Sequence, residues 1–400
     1  MDLVKKHIIK NNTKLLLIVL DGLGGLPVEN GKTELEMAKT PNLDRLAKES
    51  ALGMHIPVDY GITPGSGPGH LGIFGYNPVE YQIGRGILEA LGLGLELKDT
   101  DIAVRGNYAT VEEFNGKLIV KDRRAGRISS EENKRITQKL ASAVKNIGDV
   151  QVILSPGMEH RFAMILRFPT PLPEGSDRLP DTDPQKEGYE PIIPQGDGVA
   201  MVVREFLKRA QEVLKDEPKA NYVLLRGFSQ KPKIESFEEK FGLRACAIAV
   251  YPMYRGLASL VGMEVFKAES LQEQIKLLKD LWENYDYFFF HIKKTDSYGE
   301  DGNWRGKIQV IEEFDGLIPE FLSLKPQVLV ITGDHSTPSV LKGHSWHPVP
   351  VLLHSPYVLG RTSERFTERE CLKGELGIFP AFKLMNLMLA HSLRLSKFGA

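Results

Sequence analysis

The chain has 400 residues, 42% of them hydrophobic and 26% charged, enough to bury a sizeable core and to form two domains. Lys and Arg number 51 against 52 Asp and Glu, a formal charge of -1, so no global field favours nucleic acid or an anionic membrane, and local cations must hold any anionic ligand. Two cysteines, Cys246 and Cys371, are too few for a disulfide framework and read as small buried thiols.

Lys5, Lys6, Lys10 and Lys14 precede the apolar run Leu15-Leu16-Leu17-Ile18-Val19-Leu20, which is too short for a signal segment or a membrane span, so cytoplasmic residence is the expectation. That run has the length and β-branched content of a buried parallel strand and ends at Asp21, before Gly22, Gly24 and Gly25. Thr40-Pro41-Asn42-Leu43 starts a helix with proline in its first turn. Gly61-Ile62-Thr63-Pro64-Gly65-Ser66-Gly67-Pro68-Gly69-His70 is a costly loop composition unless the backbone meets a ligand, and a helix is expected to begin near Gly69.

From Asp101 to Pro232 the character changes. Residues 103–111 and 116–120 look like a hairpin, 152–154 and 162–166 like further strands, and Val199 to Leu214 like an amphipathic helix. Seven prolines between Pro169 and Pro194 mark a long surface loop. The segment reads as an inserted α+β domain, giving expected parts of 1–100, 101–232 and 233–400. Core-like strands return at 245–250, 287–292 and 328–332, separated by helical stretches at 270–285 and 307–324. A parallel sheet with helices on both faces is the economical α/β reading.

Open α/β sheets bind ligands beyond the carboxyl ends of their strands, which gathers Asp21 and Asp334-His335 on one edge. Asp21 alone is also read as a turn or cap residue, and Asp334-His335 as a hydrogen-bonded structural pair. With Ser66 and His344, the set suggests metal-assisted phosphoryl transfer: carboxylate oxygen and neutral imidazole bind divalent ions, and a serine in a Gly/Pro-rich turn offers its oxygen to metal and to phosphorus. Asp296 and Glu300, four apart, share one face of a turn or helix, as surface charges also would. Arg105, Arg123, Arg124, Arg127 and Arg226 in the insertion are candidate forks for phosphate and carboxylate, with a solvated basic face as the alternative.

The residues closely resemble the archaeal-type cofactor-independent phosphoglycerate mutases of the alkaline phosphatase superfamily. The resemblance is carried by Leu20-Asp21-Gly22-Leu23-Gly24-Gly25, Pro64-Gly65-Ser66 with His70, Gly75-Tyr76-Asn77-Pro78, Gly84-Arg85-Gly86, Arg105-Gly106-Asn107, Asp122 to Ile128, Asp181-Thr182-Asp183-Pro184 and Thr332 to Pro338, and it spans nearly the whole chain. It implies an alkaline-phosphatase-like core with a mostly parallel sheet flanked by helices, plus a smaller α+β lid. It implies two divalent metal ions (Mn, Mg, Co or Zn) and no 2,3-bisphosphoglycerate. Asp21, Ser66, Asp334 and His335 would hold one ion, and Asp296 and His344 the other. Ser66 would be the nucleophile in interconverting 2- and 3-phosphoglycerate. His70 and the insertion's arginines would bind the small phosphorylated substrate.

This chain departs from the family pattern in places. Glu300 stands where the pattern has histidine, Lys293-Lys294-Thr295 precedes Asp296 where the family is usually more acidic or apolar, and His347 stands where Asp or Asn is usual. Glu300 could supply oxygen as a ligand to a harder ion, and His347 a replacement imidazole. A related phosphotransferase or phosphatase on another small metabolite, and a non-catalytic metabolite-binding homologue, are the competing readings.

Overall fold

A computed structural model describes residues 3–360 and 363–399. The chain divides into two compact units, Met1–Gln82 with Ile234–Ala400, and Ile83–Lys233. The second unit begins at Ile83 rather than at 101, because the Arg85–Gly92 helix packs on the Asp101–Phe114 strand: a Cβ on Gly86 would lie 2.2 Å from the Ala103 carbonyl oxygen.

The first unit is built on an eight-stranded sheet. Its strands run in the order Glu264–Lys267, Ala245–Ala249, Tyr287–Ile292, Leu15–Leu20, Val328–Thr332, Val349–His354, Ala51–Ile56 and Gly377–Pro380. All neighbours are parallel except that Val349–His354 runs against both of its partners, so the sheet is mostly parallel, as expected, with one reversed strand. Leu15–Leu20, Tyr287–Ile292 and Val328–Thr332 are wholly buried, which is why they read as unbroken apolar runs. They are adjacent and in register, Val19 beside both His291 and Thr332, so the residues after them emerge together. The helical stretch expected at 307–324 is two helices, Trp304–Asp315 and Ile318–Ser323, parted at Gly316.

The second unit carries a six-stranded sheet with Asp101–Phe114 at its centre, paired antiparallel to Lys117–Asp122, Arg161–Arg167 and Tyr222–Gln230. The Val199–Leu214 helix lies where its apolar spacing places it, and the proline-rich stretch forms no helix or strand.

Candidate metal centre and its surroundings

Asp21, Asp296, Asp334 and His335 all lie just beyond the ends of strands. Asp21 follows its strand directly, with Gly22 at φ +67° turning the chain away. Asp296 lies in the Lys294–Glu300 helix after Tyr287–Ile292, and Asp334 and His335 follow Val328–Thr332. Buried Lys307 ties these turns together, its ammonium donating to the carbonyls of Gly22 (2.8 Å), Gly24 (3.2 Å) and Thr337 (2.9 Å).

Ser66 is itself the first residue of the Ser66–Ile73 helix, three residues earlier than expected. The helix lies against the Asp334 turn so closely that a Cβ on Gly69 would be 2.6 Å from the Asp334 carbonyl oxygen. That contact is the physical demand behind Gly69; Gly61, at φ +73°, has nothing within 4 Å.

Asp21, Asp334 and His335 are wholly buried and offer ligand atoms within 4.8 Å of one another; Asp296, His335 and His344 form a second such group. His335 Nε2 is 3.4 Å from Asp21 Oδ1 and 3.1 Å from Asp334 Oδ2. His344 Nε2 is 3.6 Å from Asp296 Oδ1 and 3.7 Å from Glu300 Oε1. Both Asp21 oxygens, Asp334 Oδ2 and His335 Nε2 are buried without a hydrogen-bond partner. Orphaned buried acceptors of this kind are costly by themselves and become favourable around a cation, so the residues fit a divalent ion.

The imidazoles are prepared as ligands. His344 Nδ1 donates to the Pro64 carbonyl at 2.9 Å, leaving Nε2 free and tying the loop before Ser66 to this centre. The Thr337 hydroxyl lies 2.7 Å from Asp296 Oδ1 and 2.9 Å from His335 Nδ1. With one proton to give, it donates to the carboxylate and accepts from Nδ1–H, which turns the His335 Nε2 lone pair toward Asp21 and Asp334. Burial holds the His335 imidazole neutral, well below its usual range. Burial pushes Asp334 up, reinforced by the Asp21 and Asp296 charges. For Asp21, burial acts upward, but His291, His335 and Lys293 together hold its carboxyl low.

Not every expected residue lies where it was placed. His70 is wholly buried, with Nδ1 2.8 Å from the Ser66 carbonyl and 3.1 Å from Asp334 Oδ2, and burial pushes it down to about 4. Its Nδ1 faces Ser66 and Asp334, where a substrate-binding role was expected. Glu300 belongs to neither ligand group and lies half exposed beside His344; its carboxyl is raised by burial and by Asp296. His347 meets Ser345 Oγ and stacks on Trp346, outside both groups.

The residues that sequence reasoning missed are Lys293, His291, Tyr254 and Thr337. Lys293 Nζ pairs with Asp296 Oδ2 (2.5 Å) and Asp21 Oδ2 (3.2 Å), and His291 Nε2 lies 3.3 Å from Asp21 Oδ2. Tyr254 stacks against His70 and lies 4.0 Å from His291 between ring centroids. The one usable signal was His291, a polar residue closing Phe288-Phe289-Phe290 inside a buried strand.

In the second unit, Arg105 pairs across the strands with Arg226, and Asn107 with Arg161. Opposed and alternate residues share a sheet face, so these four side chains gather there. Arg105 is lowered by burial and, despite Glu89, by the Arg161, Arg226 and Arg85 charges. Arg105 Nε, Asn107 Oδ1 and His160 Nδ1 are buried without hydrogen-bond partners. Arg226 also meets Asp181 and Asp183. Arg123 is committed to a bidentate pair with Asp183 at 2.7 Å, while Arg124 and Arg127 are exposed and join no such cluster.

A mostly parallel α/β sheet with buried carboxylate and imidazole ligands at its strand ends defines a metalloenzyme, and the sequence profile of the Metalloenzyme superfamily matches residues 13–391. A protein of Aquifex aeolicus, described as a probable 2,3-bisphosphoglycerate-independent phosphoglycerate mutase, is 69% identical over 100% of both chains, and one of Thermotoga neapolitana with the same description is 52% identical over 99% of this chain and 98% of its own. Among solved structures, a Pyrococcus horikoshii protein matches with a TM-score of 0.80 at 33% identity, covering 98% of this chain and 100% of its own. The cofactor-independent phosphoglycerate mutase of Thermoplasma acidophilum matches at 0.75 and 29% identity, covering 95% and 100%. The chain belongs to the 2,3-bisphosphoglycerate-independent phosphoglycerate mutase family.

Proposed function

We propose that this protein interconverts 2-phosphoglycerate and 3-phosphoglycerate without 2,3-bisphosphoglycerate, through a phosphorylated Ser66. The observation that carries the reading is the set of buried ligand atoms without hydrogen-bond partners on Asp21, Asp334 and His335, beside a helix that begins at Ser66. Asp21, Asp334, His335 and Ser66 would hold one divalent ion, and Asp296 and His344 a second, with Glu300 at its rim. Bound there, such ions lower the pKa of a hydroxyl and neutralise phosphoryl oxygens, and the mixed carboxylate and imidazole set suits Mn²⁺, Co²⁺ or Zn²⁺ better than Mg²⁺.

Ser66 Oγ bonds to phosphorus as the bond from phosphorus to one glycerate oxygen breaks, and the serine proton ends on that departing oxygen. The second transfer reverses these changes at the other glycerate oxygen. Pro64 and Gly65 hold the nucleophile at the helix start, where free amides favour an anion. Arg105, Arg161 and Arg226 supply charge-assisted hydrogen bonds to the substrate's phosphate and carboxylate. Because water reaching phosphoserine would make the protein a phosphatase, the reaction requires water to be excluded while glycerate is retained. We assign the protein to the cytoplasm, in keeping with the lack of any helix long and apolar enough to cross a membrane among the described residues.

The test is an assay of chelator-stripped protein given 3-phosphoglycerate with Mn²⁺, Co²⁺, Zn²⁺ or Mg²⁺ in turn, following 2-phosphoglycerate and free phosphate together. Isomerisation that needs added ion and no bisphosphoglycerate is expected, and free phosphate alone would instead indicate a phosphatase. Ser66→Ala is expected to lower turnover by about 10⁴-fold or more with an unchanged circular dichroism spectrum, and substantial residual turnover would remove Ser66 as the nucleophile.

A further inference from the structure

The two aspartates that flank the ligand groups divide their oxygens in the same way. Asp21 Oδ1 faces His335 Nε2, and Asp296 Oδ1 faces His344 Nε2. The other oxygen of each meets one ammonium: Lys293 Nζ is 3.2 Å from Asp21 Oδ2 and 2.5 Å from Asp296 Oδ2. Lys293 begins immediately after the strand that ends at Ile292, and the Lys294–Glu300 helix brings Asp296 back over it. Its side chain is 27% exposed, and its charge also lies near the rings of Tyr251 and Tyr254.

Asp21, Asp296 and Asp334 are buried with few neutralising groups. Lys307, also buried, is spent on three carbonyls, and burial keeps His335 and His291 toward the neutral form. Asp21 and Asp296, and Asp334 when it is ionised, repel one another in a medium of low dielectric constant, and without a cation the centre must take up a proton or move apart.

We propose that Lys293 is a built-in counter-ion shared by the two candidate metal groups, a positioning residue that holds Asp21 and Asp296 through the oxygens turned away from the imidazoles. It keeps the ion-free centre assembled, and it weakens ion binding because its charge stays beside the incoming cation. The inference rests on the metal reading above and adds to it a second link between the two groups, a cation beside the shared His335.

The test compares the full-length wild type with Lys293→Met and Lys293→Arg after chelator treatment, using Mn²⁺ titration calorimetry and thermal unfolding with and without Mn²⁺. Lys293→Met is expected to unfold at lower temperature than the wild type when ion-free, to bind Mn²⁺ about tenfold tighter or more, and so to gain more from added Mn²⁺. Lys293→Arg keeps the charge and should follow the wild type in both measurements. If Lys293→Met does not fold ion-free, recovery of folded protein on refolding with Mn²⁺ supports the proposal, and failure to recover overturns it. Unchanged or weaker Mn²⁺ binding by Lys293→Met, beside a wild type that binds, overturns the role of Lys293 alone. A wild type that binds no Mn²⁺ overturns the metal reading and the proposal with it.

Discussion

Thr337→Val removes one oxygen and almost no volume, so its effect isolates the hydrogen bonds that join Asp296 to His335. The His335 Nδ1–H would then be buried without an acceptor, and the imidazole would lose the partner that fixes its tautomer. We expect Mn²⁺ affinity to fall about 10- to 100-fold by calorimetry; unchanged affinity would mean that Thr337 only fills space. Glu368 offers a second test at this scale, away from the ligands. It accepts hydrogen bonds from Gly25 N (3.0 Å) and Thr33 Oγ1 (2.7 Å), and burial pushes its carboxyl up to about 7 from an ordinary 4.5 although Thr33 acts downward. A carboxyl whose folded pKa is raised contributes stability that is present below its unfolded value and is lost as pH rises through the folded value. The window therefore runs from about pH 4.5 to about 7. Glu368→Gln carries no such proton and should be more stable than the wild type at pH 8 by about 2–3 kcal/mol, with no such gain at pH 4.5. Parallel pH dependence of unfolding in the two proteins would refute this account.

Asp21, Asp334 and Asp296 were legible at the residue scale because each follows an apolar run too regular to be anything but a buried strand. Lys293 was not, because a lysine after a strand reads as solvated until the fold sets two carboxylates on either side of it. Thr337 was equally silent, since only its distances distinguish it from any turn threonine.

Among the elements, the Ser66–Ile73 helix carries the tightest constraint. The Gly/Pro-rich composition of the loop pointed to a backbone held near something, but only the packing shows that the neighbour is the Asp334 carbonyl, 2.6 Å from where a Gly69 Cβ would be. Gly69→Ala must push the helix away from the strand-end turn, and overpacking of this kind costs about 1–3 kcal/mol. Because Ser66 opens the helix and His70 bridges Ser66 to Asp334, the displacement should reach the nucleophile. We expect a loss of turnover exceeding the loss of stability, with kcat falling and thermal unfolding only a few degrees lower. A variant with wild-type kcat would show that the close approach serves packing alone. The same scale explains two boundary differences. The expected boundary at 101 left 85–92 in the first unit, and the seat of the Arg85–Gly92 helix on the Asp101–Phe114 strand assigns it to the second. Val349–His354 is apolar like its parallel neighbours, and its reversed direction has no signature in residue type.

At the scale of the whole molecule, the proposed ion ligands and Ser66 lie in one unit and the gathered arginines in the other. Arg105 is the most telling member, because its Nε makes no hydrogen bond, with Glu89 Oε2 3.6 Å away, while Arg161, Arg226 and Arg85 add like charge around it. Glu89, Asp181 and Asp183 already stand against this cluster, and an anionic substrate would add acceptors for the donors left free. Arg105→Ala should therefore raise KM for 3-phosphoglycerate about 10- to 100-fold, the range of one or two charge-assisted hydrogen bonds. It should leave Mn²⁺ affinity within error of the wild type, since Arg105 belongs to a different compact unit from every proposed ion ligand. The ratio of free phosphate to 2-phosphoglycerate should also rise, because glycerate held less firmly leaves phosphoserine open to water. An altered KM with an unaltered product ratio would confine Arg105 to initial capture. Unaltered KM and ratio together would remove this arginine face from the reaction and favour a substrate bound wholly by the first unit.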